Sequence, residues 1–390
     1  MKILHTVEFY HPSIGGMQEV VKQISEHLVK FGHEVTIATT RLPERTYKEL
    51  NGVKIVDFNV SGNLARGLSG DIDSYRRFIL NSEFDIITNF AAQQWATDAI
   101  IQITDSIKAK KVFVPTGFSG LYDTAYKHYF ESMKVWMKKY DVNIFLSNDY
   151  RDINFARNSG VKNCVIIPNG ASQDEFLAEV NIDIRSKLGI SKEEFLIINV
   201  SSHTGIKGHQ EAIDIFNQTK IKNAVFLMIA NSFEQGCNKS CKQKELRFKK
   251  SIKRLFDRKK LIITSLTREE TIAAYKEAEL FLFTSNIECS PIVLFECMAS
   301  KTPFLTTDVG NAKEIIDWCQ AGLLLPTLKN SRGYSKAKIK ESARVLKQIY
   351  IQNEQRELMK TLGFGVWTRR FTWDKVSREY EKLYFSLLEV

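Results

Sequence analysis

The sequence predicts an α/β protein built from two doubly wound, mostly parallel sheets. Three observations carry that prediction. Short apolar runs alternate with amphipathic segments of helical period, the pattern of repeated βα units. The pattern restarts once, at Phe195-Leu-Ile-Ile-Asn-Val200. The chain is also 390 residues long, enough for two domains of ordinary size.

In the first half, strands are expected at 3–7, 33–39, 53–58, 86–88, 111–115, 142–147 and 165–167. Helix-like stretches lie between most of them. The helix expected over 18–31 places Val20, Val21, Ile24, Leu28 and Phe31 on one face. After the restart come a helix over 210–218, a strand over 224–230, a strongly basic helix and a strand over 261–264. A helix over 269–278, a strand over 280–283 and a further apolar run over 303–307 follow. The segment 371–384 is amphipathic through Val376, Tyr380, Leu383 and Tyr384, with Trp373 as a packing anchor. Two similar domains, 1–180 and 190–368, are expected to join near 174–192 and to face each other across a cleft.

At 44% hydrophobic and 26% charged, the chain is globular, with enough apolar residues for two cores. It contains no apolar run of about 18 residues, so no spanning helix is expected. Met1-Lys-Ile-Leu-His5 enters a strand-like segment ending at His11-Pro12, too short for a signal core. Six scattered cysteines in so large a chain favour free thiols and a cytoplasmic location. Cys237 and Cys241 have no evident second pair or histidine cluster, so no zinc site is expected.

The net charge is +10, and most of it lies between Lys239 and Lys260. Eleven Lys and Arg residues stand there against only Glu245 and Asp257, interleaved with Leu246, Phe248, Ile252, Leu255 and Phe256. A solvated helix face is one reading. A surface for anionic lipid headgroups or an anionic substrate is another. Nucleic acid is not expected, because no recognised binding motif accompanies the charge. The stretch 126–140 mixes Tyr129, Phe130, Val135, Trp136 and Met137 with four lysines, and suits either core packing or a membrane surface.

Chemistry-bearing residues cluster in loops after predicted strands, where parallel α/β folds bind ligands. Glu288 and Glu296 bracket Glu288-Cys-Ser-Pro-Ile-Val-Leu-Phe-Glu296. Eight residues of helix would separate them by about 12 Å, beyond the roughly 5–9.5 Å wanted by a hydrolytic carboxylate pair. They are better suited to hold two ends of one extended ligand, unless Glu288 is only a cap and Glu296 a solvated helix residue. Ser290 and the backbone N–H groups around Ile292 and Val293 could meet a phosphate, and Pro291 suits a first helical turn. Lys207-Gly208, preceded by Ser201, Ser202, His203 and Thr204, suits a diphosphate or an ordinary surface loop. Gly15-Gly16 precedes the first helix and promises a backbone conformation closed to other residues, close ligand approach and an anion-favouring helix start. No dinucleotide fingerprint follows it. Asp71-Ile-Asp73 has the form of a metal-binding Asp-x-Asp, but the other motifs disagree with that use.

In this context the chain resembles a GT-B fold glycosyltransferase of the large retaining family 4, almost end to end. The resemblance rests on Gly15-Gly16, Ile167-Pro-Asn-Gly170 with Phe176, Lys207-Gly208, and the Glu-x7-Glu of Glu288 and Glu296. Met298-Ala299, Thr302-Pro303, Glu314-Ile-Ile and the segment from Trp373 to Tyr384 add to it. It implies a final helix, 371–390, that crosses back to the first domain. It implies a nucleotide-sugar donor, most often a UDP-sugar, on the second domain, with no metal or other cofactor. Glu288 and Lys207 would be catalytic, at the donor sugar and the leaving diphosphate. Gly16, Ser201, Ser202, His203, Ser290, Ile292, Val293 and Glu296 would help bind the donor, with Glu296 on the ribose hydroxyls. Gly15, Gly16, Thr116 and Asn169 would lie on the acceptor side. The acceptor would be a glycan, lipid-linked or of a cell-surface polysaccharide; the basic segment between Lys239 and Lys260 favours a lipid-linked one, with peripheral contact on an anionic membrane. The sequence departs from the family pattern at Ser201-Ser202 (usually Gly-Arg), Thr116 (often His), Ser172 (usually Asp) and Cys289-Ser-Pro291 (often Gly-Phe-Gly). Those departures motivate one alternative, a non-catalytic nucleotide-sugar or glycan-binding protein with a degenerate site.

Overall fold

A computed structural model of the chain describes residues 1–231 and 236–389, without the side chains of 253–255. The chain forms two compact units, one of Met1–Asn169 with Trp373–Val390, the other of Gly170–Thr372.

The first unit contains β1 (Lys2–Thr6), β2 (Glu34–Thr40), β3 (Glu49–Leu50), β4 (Val53–Phe58) and a small hairpin, β5 (Val60–Asn63) and β6 (Gly67–Gly70). It continues with β7 (Ile86–Phe90), β8 (Lys110–Val114), β9 (Val142–Phe145) and β10 (Cys164–Ile166). Eight strands form one sheet in the order β10-β9-β8-β7-β1-β2-β4-β3. Only the β3–β4 pair is antiparallel. Central β1 takes Thr36 and Ile87 as the two partners of Leu4, which fixes the register on both sides. The second unit contains β11 (Phe195–Val200), β12 (Ala224–Ile229), β13 (Lys259–Thr264), β14 (Leu280–Phe283), β15 (Phe304–Thr306) and β16 (Gly322–Leu324). They form a parallel sheet in the order β13-β12-β11-β14-β15-β16. The predicted fold class is therefore the one observed.

Continuous apolar runs make these strands because both faces of the sheet are covered. Ile198, Val225, Leu227, Phe281 and Phe283 enter one core, while Ile197, Phe226, Met228, Leu280 and Leu282 enter the other. The alternation has the period of two that a pleated strand imposes. Ala171 and Phe176 also belong to the core of the second unit, so that unit begins before residue 180.

The terminal helix Trp373–Leu388 belongs to the first unit. Buried Tyr384 hydrogen-bonds Thr88 Oγ1 at 2.7 Å and His5 Nε2 at 3.2 Å through its hydroxyl. Trp373 is buried, as a packing anchor should be.

The basic segment is not one helix. It breaks at Ser251 into Asn238–Lys250 and Ile252–Asp257, and then enters β13 at Lys259. The Lys259 ammonium is buried, donating to carbonyls of Phe216 and Thr219. Lys244, Lys249 and Lys260 pair with Asp214, Glu245 and Glu194. Lys253, Arg254 and Leu255 lie outside the described side chains. Phe248 is buried, whereas Leu246, Ile252 and Phe256 are exposed. In the stretch 126–140, Tyr129, Phe130, Met133 and Met137 join a core with Phe113 and Phe145, so packing accounts for most of its aromatic character. Asp71 caps the helix Ile72–Asn81 by accepting from Ser74 N at 3.1 Å. Among the described residues no helix is long and apolar enough to cross a membrane.

Candidate functional site

In the second unit the chain winds outward from β11 to β13, then returns to the other side of β11 as β14. Between β11 and β14 the connections leave in opposite directions, the switch point at which open α/β sheets bind ligands. The two loops that flank it are 201–208 and 284–291.

These loops are cross-braced. Asn286 N donates to Ile206 O at 2.9 Å, and Thr284 Oγ1 donates to Gly208 O at 2.6 Å. Gly208 sits at φ +64, capping the helix His209–Gln218, and a Cβ there would lie 1.7 Å from Thr284 O. Only glycine fits both the left-handed conformation and the close approach. The brace brings Lys207 Nζ to 2.6 Å from Glu288 Oε1, which also accepts from Ser285 Oγ at 2.7 Å. Lys207 and Glu288 are both half-buried. Their charge-assisted bond is therefore formed partly out of water, where it is stronger than on an open surface.

Glu288 precedes the helix Ile292–Ala299, and Glu296 is the fifth residue within it. The two are not on one helix, so the expected helical rise does not apply. Pro291 stands at the N-cap rather than inside the first turn. Ile292 and Val293 follow it, half-buried, at the end that leaves N–H groups without intrahelical partners. Ser290 is buried beside them.

Glu296 is buried and already has two protein partners. Its Oε1 pairs with Arg268 at 2.7 Å, and its Oε2 accepts from the Tyr275 hydroxyl at 3.0 Å. Arg268 also grips Glu175 through two bonds, at 3.1 and 2.6 Å. Burial disfavours the Arg268 charge, but Glu296 and Glu175 outweigh it and raise its pKa above the ordinary range. Sequence reasoning missed Arg268, Tyr275 and Ser285. The capping box formed by Thr267 and Glu270 announces a helix start, but nothing local says that the arginine beside it meets residue 296.

The residues before Lys207 behave differently from expectation. His203 is buried, and its Nδ1 faces Cys237 Sγ at 3.4 Å rather than a loop surface. Ser201 Oγ donates to Asn199 Oδ1 at 2.7 Å and meets His209 Nε2 at 2.6 Å. Ser202 Oγ accepts from Asn231 at 3.3 Å. The expectation that Cys237 and Cys241 lack histidine partners is corrected: His203 and His209 face them in one buried cluster. The signal was present as His203-x5-His209 ahead of Cys237-x3-Cys241, but more than two dozen residues separate the pairs. Within the cluster the Cys237 thiol is held well below its usual range. A hydrogen bond with Cys241 is the largest cause, and the two imidazoles add to it against the opposing effect of burial. The Cys241 thiol is pushed up by the same bond and by burial.

In the first unit the switch point lies between β1 and β7. Gly15 caps the helix Gly16–Lys30 in an extended conformation, φ 178, and Gly16 is not in the left-handed region either. The expected need for glycine dihedrals is thus corrected. What Gly16 offers is space, because a Cβ there meets nothing within 4 Å. Thr116, Gly117 and Phe118, after β8, all have positive φ. Gly117 N donates to Asp152 Oδ2 at 2.8 Å. Burial of Asp152 raises its carboxyl pKa to about 6. Asn169 is buried at the end of the unit.

Residues 14–175 match the model of Glycosyltransferase Family 4, and residues 180–348 match that of Glycosyl transferases group 1. The chain is a family 4 glycosyltransferase of the GT-B fold. This transferase is 22% identical to an uncharacterized glycosyltransferase of Methanocaldococcus jannaschii, over all of this chain and 99% of the other. It superposes on sucrose-phosphate synthase of Thermosynechococcus elongatus with a TM-score of 0.78 at 16% identity, covering 100% of both chains. Anabaena HepE in complex with UDP and glucose gives 0.75 at 16% identity, over 99% of this chain and 100% of that one. In this glycosyltransferase the second family match contains both braced loops, with Lys207, Glu288 and Glu296.

Proposed function

We propose that this glycosyltransferase moves a sugar from a UDP-sugar to a glycan acceptor with retention of anomeric configuration. The observation that carries the reading is the Lys207–Glu288 pair, held at the switch point by two loops that brace each other. A nucleoside diphosphate sugar places negative charge beside an electron-poor anomeric carbon. A cation adjoining a carboxylate is the complementary arrangement, set up before the ligand arrives. The solved relative that holds UDP and glucose supports the same donor class.

In this reading the bond from the anomeric carbon to the diphosphate oxygen breaks first. Lys207 offsets the charge that develops on the leaving diphosphate, and Glu288 supports the sugar as it becomes cationic. The acceptor hydroxyl then bonds to the anomeric carbon on the face just vacated, and its proton passes to the leaving oxygen. Glu296, fixed by Arg268 and Tyr275, accepts from the ribose through its remaining lone pairs. The acceptor is lipid-linked, met at an anionic membrane surface. Exposed Leu246, Ile252 and Phe256 among exposed Lys239, Lys242, Arg247 and Lys250 support that part.

The test is titration calorimetry with UDP-, GDP- and ADP-sugars, followed by donor consumption with and without candidate acceptors. One donor is expected to bind, about 10-fold or more weaker in Lys207→Ala for loss of a charge-assisted contact. Glu288→Gln is expected to lower kcat by about 10²–10³-fold with little change in KM. If no nucleotide-sugar binds, the donor reading is wrong. If donors bind but are never consumed, the non-catalytic alternative takes its place.

A further inference from the structure

We propose that His203, His209, Cys237 and Cys241 form a structural zinc(II) site that ties the Lys207 loop to the helix Asn238–Lys250. All four side chains are buried, and their ligand atoms lie within 4.8 Å of one another. Three separations are shorter still. His209 Nδ1 stands 3.1 Å from His203 Nδ1 and 3.2 Å from Cys237 Sγ, and His203 Nδ1 stands 3.4 Å from the same sulfur. Nitrogens at about 2.0 Å and sulfurs at about 2.3 Å from a tetrahedral zinc are themselves about 3.3–3.8 Å apart. The ligand atoms of His203, His209 and Cys237 stand at or slightly inside those spacings and would move apart a little, while the spread of up to 4.8 Å requires the Cys241 sulfur to draw in.

The hydrogen-bonding around the cluster prepares it for a cation. Asn199 Nδ2 donates to Leu282 O at 2.7 Å, which fixes Oδ1 as the group that accepts from Ser201 Oγ. The single hydroxyl proton of Ser201 is thereby used, so at 2.6 Å its oxygen must accept from His209 Nε2–H. That assignment leaves the lone pair of neutral His209 on Nδ1, aimed into the cluster. Orientation of a ligating imidazole through its other nitrogen is the usual second layer of a metal site.

The chemistry of the donors narrows the ion. Two imidazoles and two thiols select a borderline-soft cation over magnesium or calcium, which prefer oxygen. Two thiolates would neutralise a divalent charge, so the complete site carries no net charge into the core. Four protein ligands leave no open position, which makes the site structural rather than catalytic. The backbone is fitted to the same junction. Cys237 N donates to His203 O at 3.3 Å, and a Cβ on Gly236 would lie 1.7 Å from that oxygen. Cys237 and Cys241 are one helical turn apart, so both sulfurs point to the same side.

His203 and His209 flank Lys207 in the chain, so a bound ion would restrain the segment that presents this lysine to Glu288. That consequence rests on the donor reading given above, whereas the site itself does not. The experiment uses the full chain, purified with a reductant and without chelator. Its metal content is measured by mass spectrometry before and after reconstitution with zinc, and cobalt(II) is then substituted. We expect one zinc per chain, together with the intense visible bands of tetrahedral cobalt and a thiolate-to-cobalt charge-transfer band. Cys237→Ser and His209→Ala are expected to lose the ion, while Cys164→Ser, which lies outside the cluster, keeps it. Should the cluster variants fail to fold, the cobalt spectrum of the unaltered chain decides. No metal after reconstitution, an octahedral cobalt spectrum, or a Cys237–Cys241 disulfide in the protein as isolated would each overturn the proposal. Failure of the donor reading looks different, because zinc would then be present without nucleotide-sugar binding.

Discussion

The loops at the two switch points are held by different means. In the second unit, loops 201–208 and 284–291 are joined by a Lys207–Glu288 ion pair and by main-chain hydrogen bonds, with Glu296 and Arg268 paired in the helices nearby. In the first unit, the loops after β1, β7 and β8 are joined mostly by neutral groups. Gln94 accepts from Glu8 N at 2.9 Å, and Gln93 Oε1 accepts from Gly120 N at 3.2 Å. The backbone there stores strain at Ala91, Gln93, Thr116 and Phe118, all with positive φ. On our reading the difference follows the ligands. A diphosphate demands charge at fixed points, whereas the hydroxyls of a glycan can be met by neutral hydrogen-bonding groups and by shape.

The largest effect that would sharpen this contrast is expected from two glycines. Gly208→Ala places a methyl on the Thr284 carbonyl at a left-handed position and should destabilise the protein by about 3 kcal/mol or more. Gly16→Ala has open space and no such dihedral, so its stability should stay within about 0.5 kcal/mol. Its consequence should appear in KM. Denaturant melts of both variants, read beside their kinetics, check the pair. Equal destabilisation would mean that the two loops are built alike after all.

A smaller effect concerns Thr116, a β-branched residue at φ +60. Thr116→Gly should raise stability by about 1 kcal/mol, since relief of the left-handed strain exceeds the entropic cost of glycine. Acceptor-dependent turnover should fall at the same time, while donor binding holds. A thermal melt that moves down would show that the loop is not strained.

The smallest effect at neutral pH belongs to His5. Burial lowers its pKa to about 3, against an ordinary value of 6.5. The unfolded chain therefore binds the extra proton first as pH falls. His5 then costs stability progressively from about pH 6.5 down to about pH 3, and nothing above that window. Asp98 and Asp152 act in the opposite sense. Burial raises each to about 6, so the folded form holds their protons longer and stability drops as pH rises from about 4 to about 6. Replacing His5 with Gln should flatten the acid limb of a stability profile measured between pH 3 and pH 7. An unchanged limb would place the acid sensitivity elsewhere.

Much of this was legible along the chain. The runs at 195–200 and 280–283 are strands with those same limits, because apolar residues that must be covered on both faces leave no other period. The basic stretch was misread for a related reason. Lysines at 259 and 260 disguise the start of β13, and only the fold supplies the carbonyls that let Lys259 be buried. Gly15-Gly16 does mark the start of the first helix, which begins at Gly16 itself, but Gly16 offers open space rather than dihedral freedom.

By itself the sequence determined the alternation of strand and helix, the restart that makes two units, and the spacing of Lys207, Glu288 and Glu296. These are local properties, written in period and composition. Tertiary structure decided which groups those residues meet. Arg268 reaches Glu296, Lys207 reaches Glu288 and His203 reaches Cys237 only because neighbouring parallel strands deliver their loops to the same end of one sheet. Sequence distance does not encode that adjacency, since a βα crossover of any length returns the chain to the same edge.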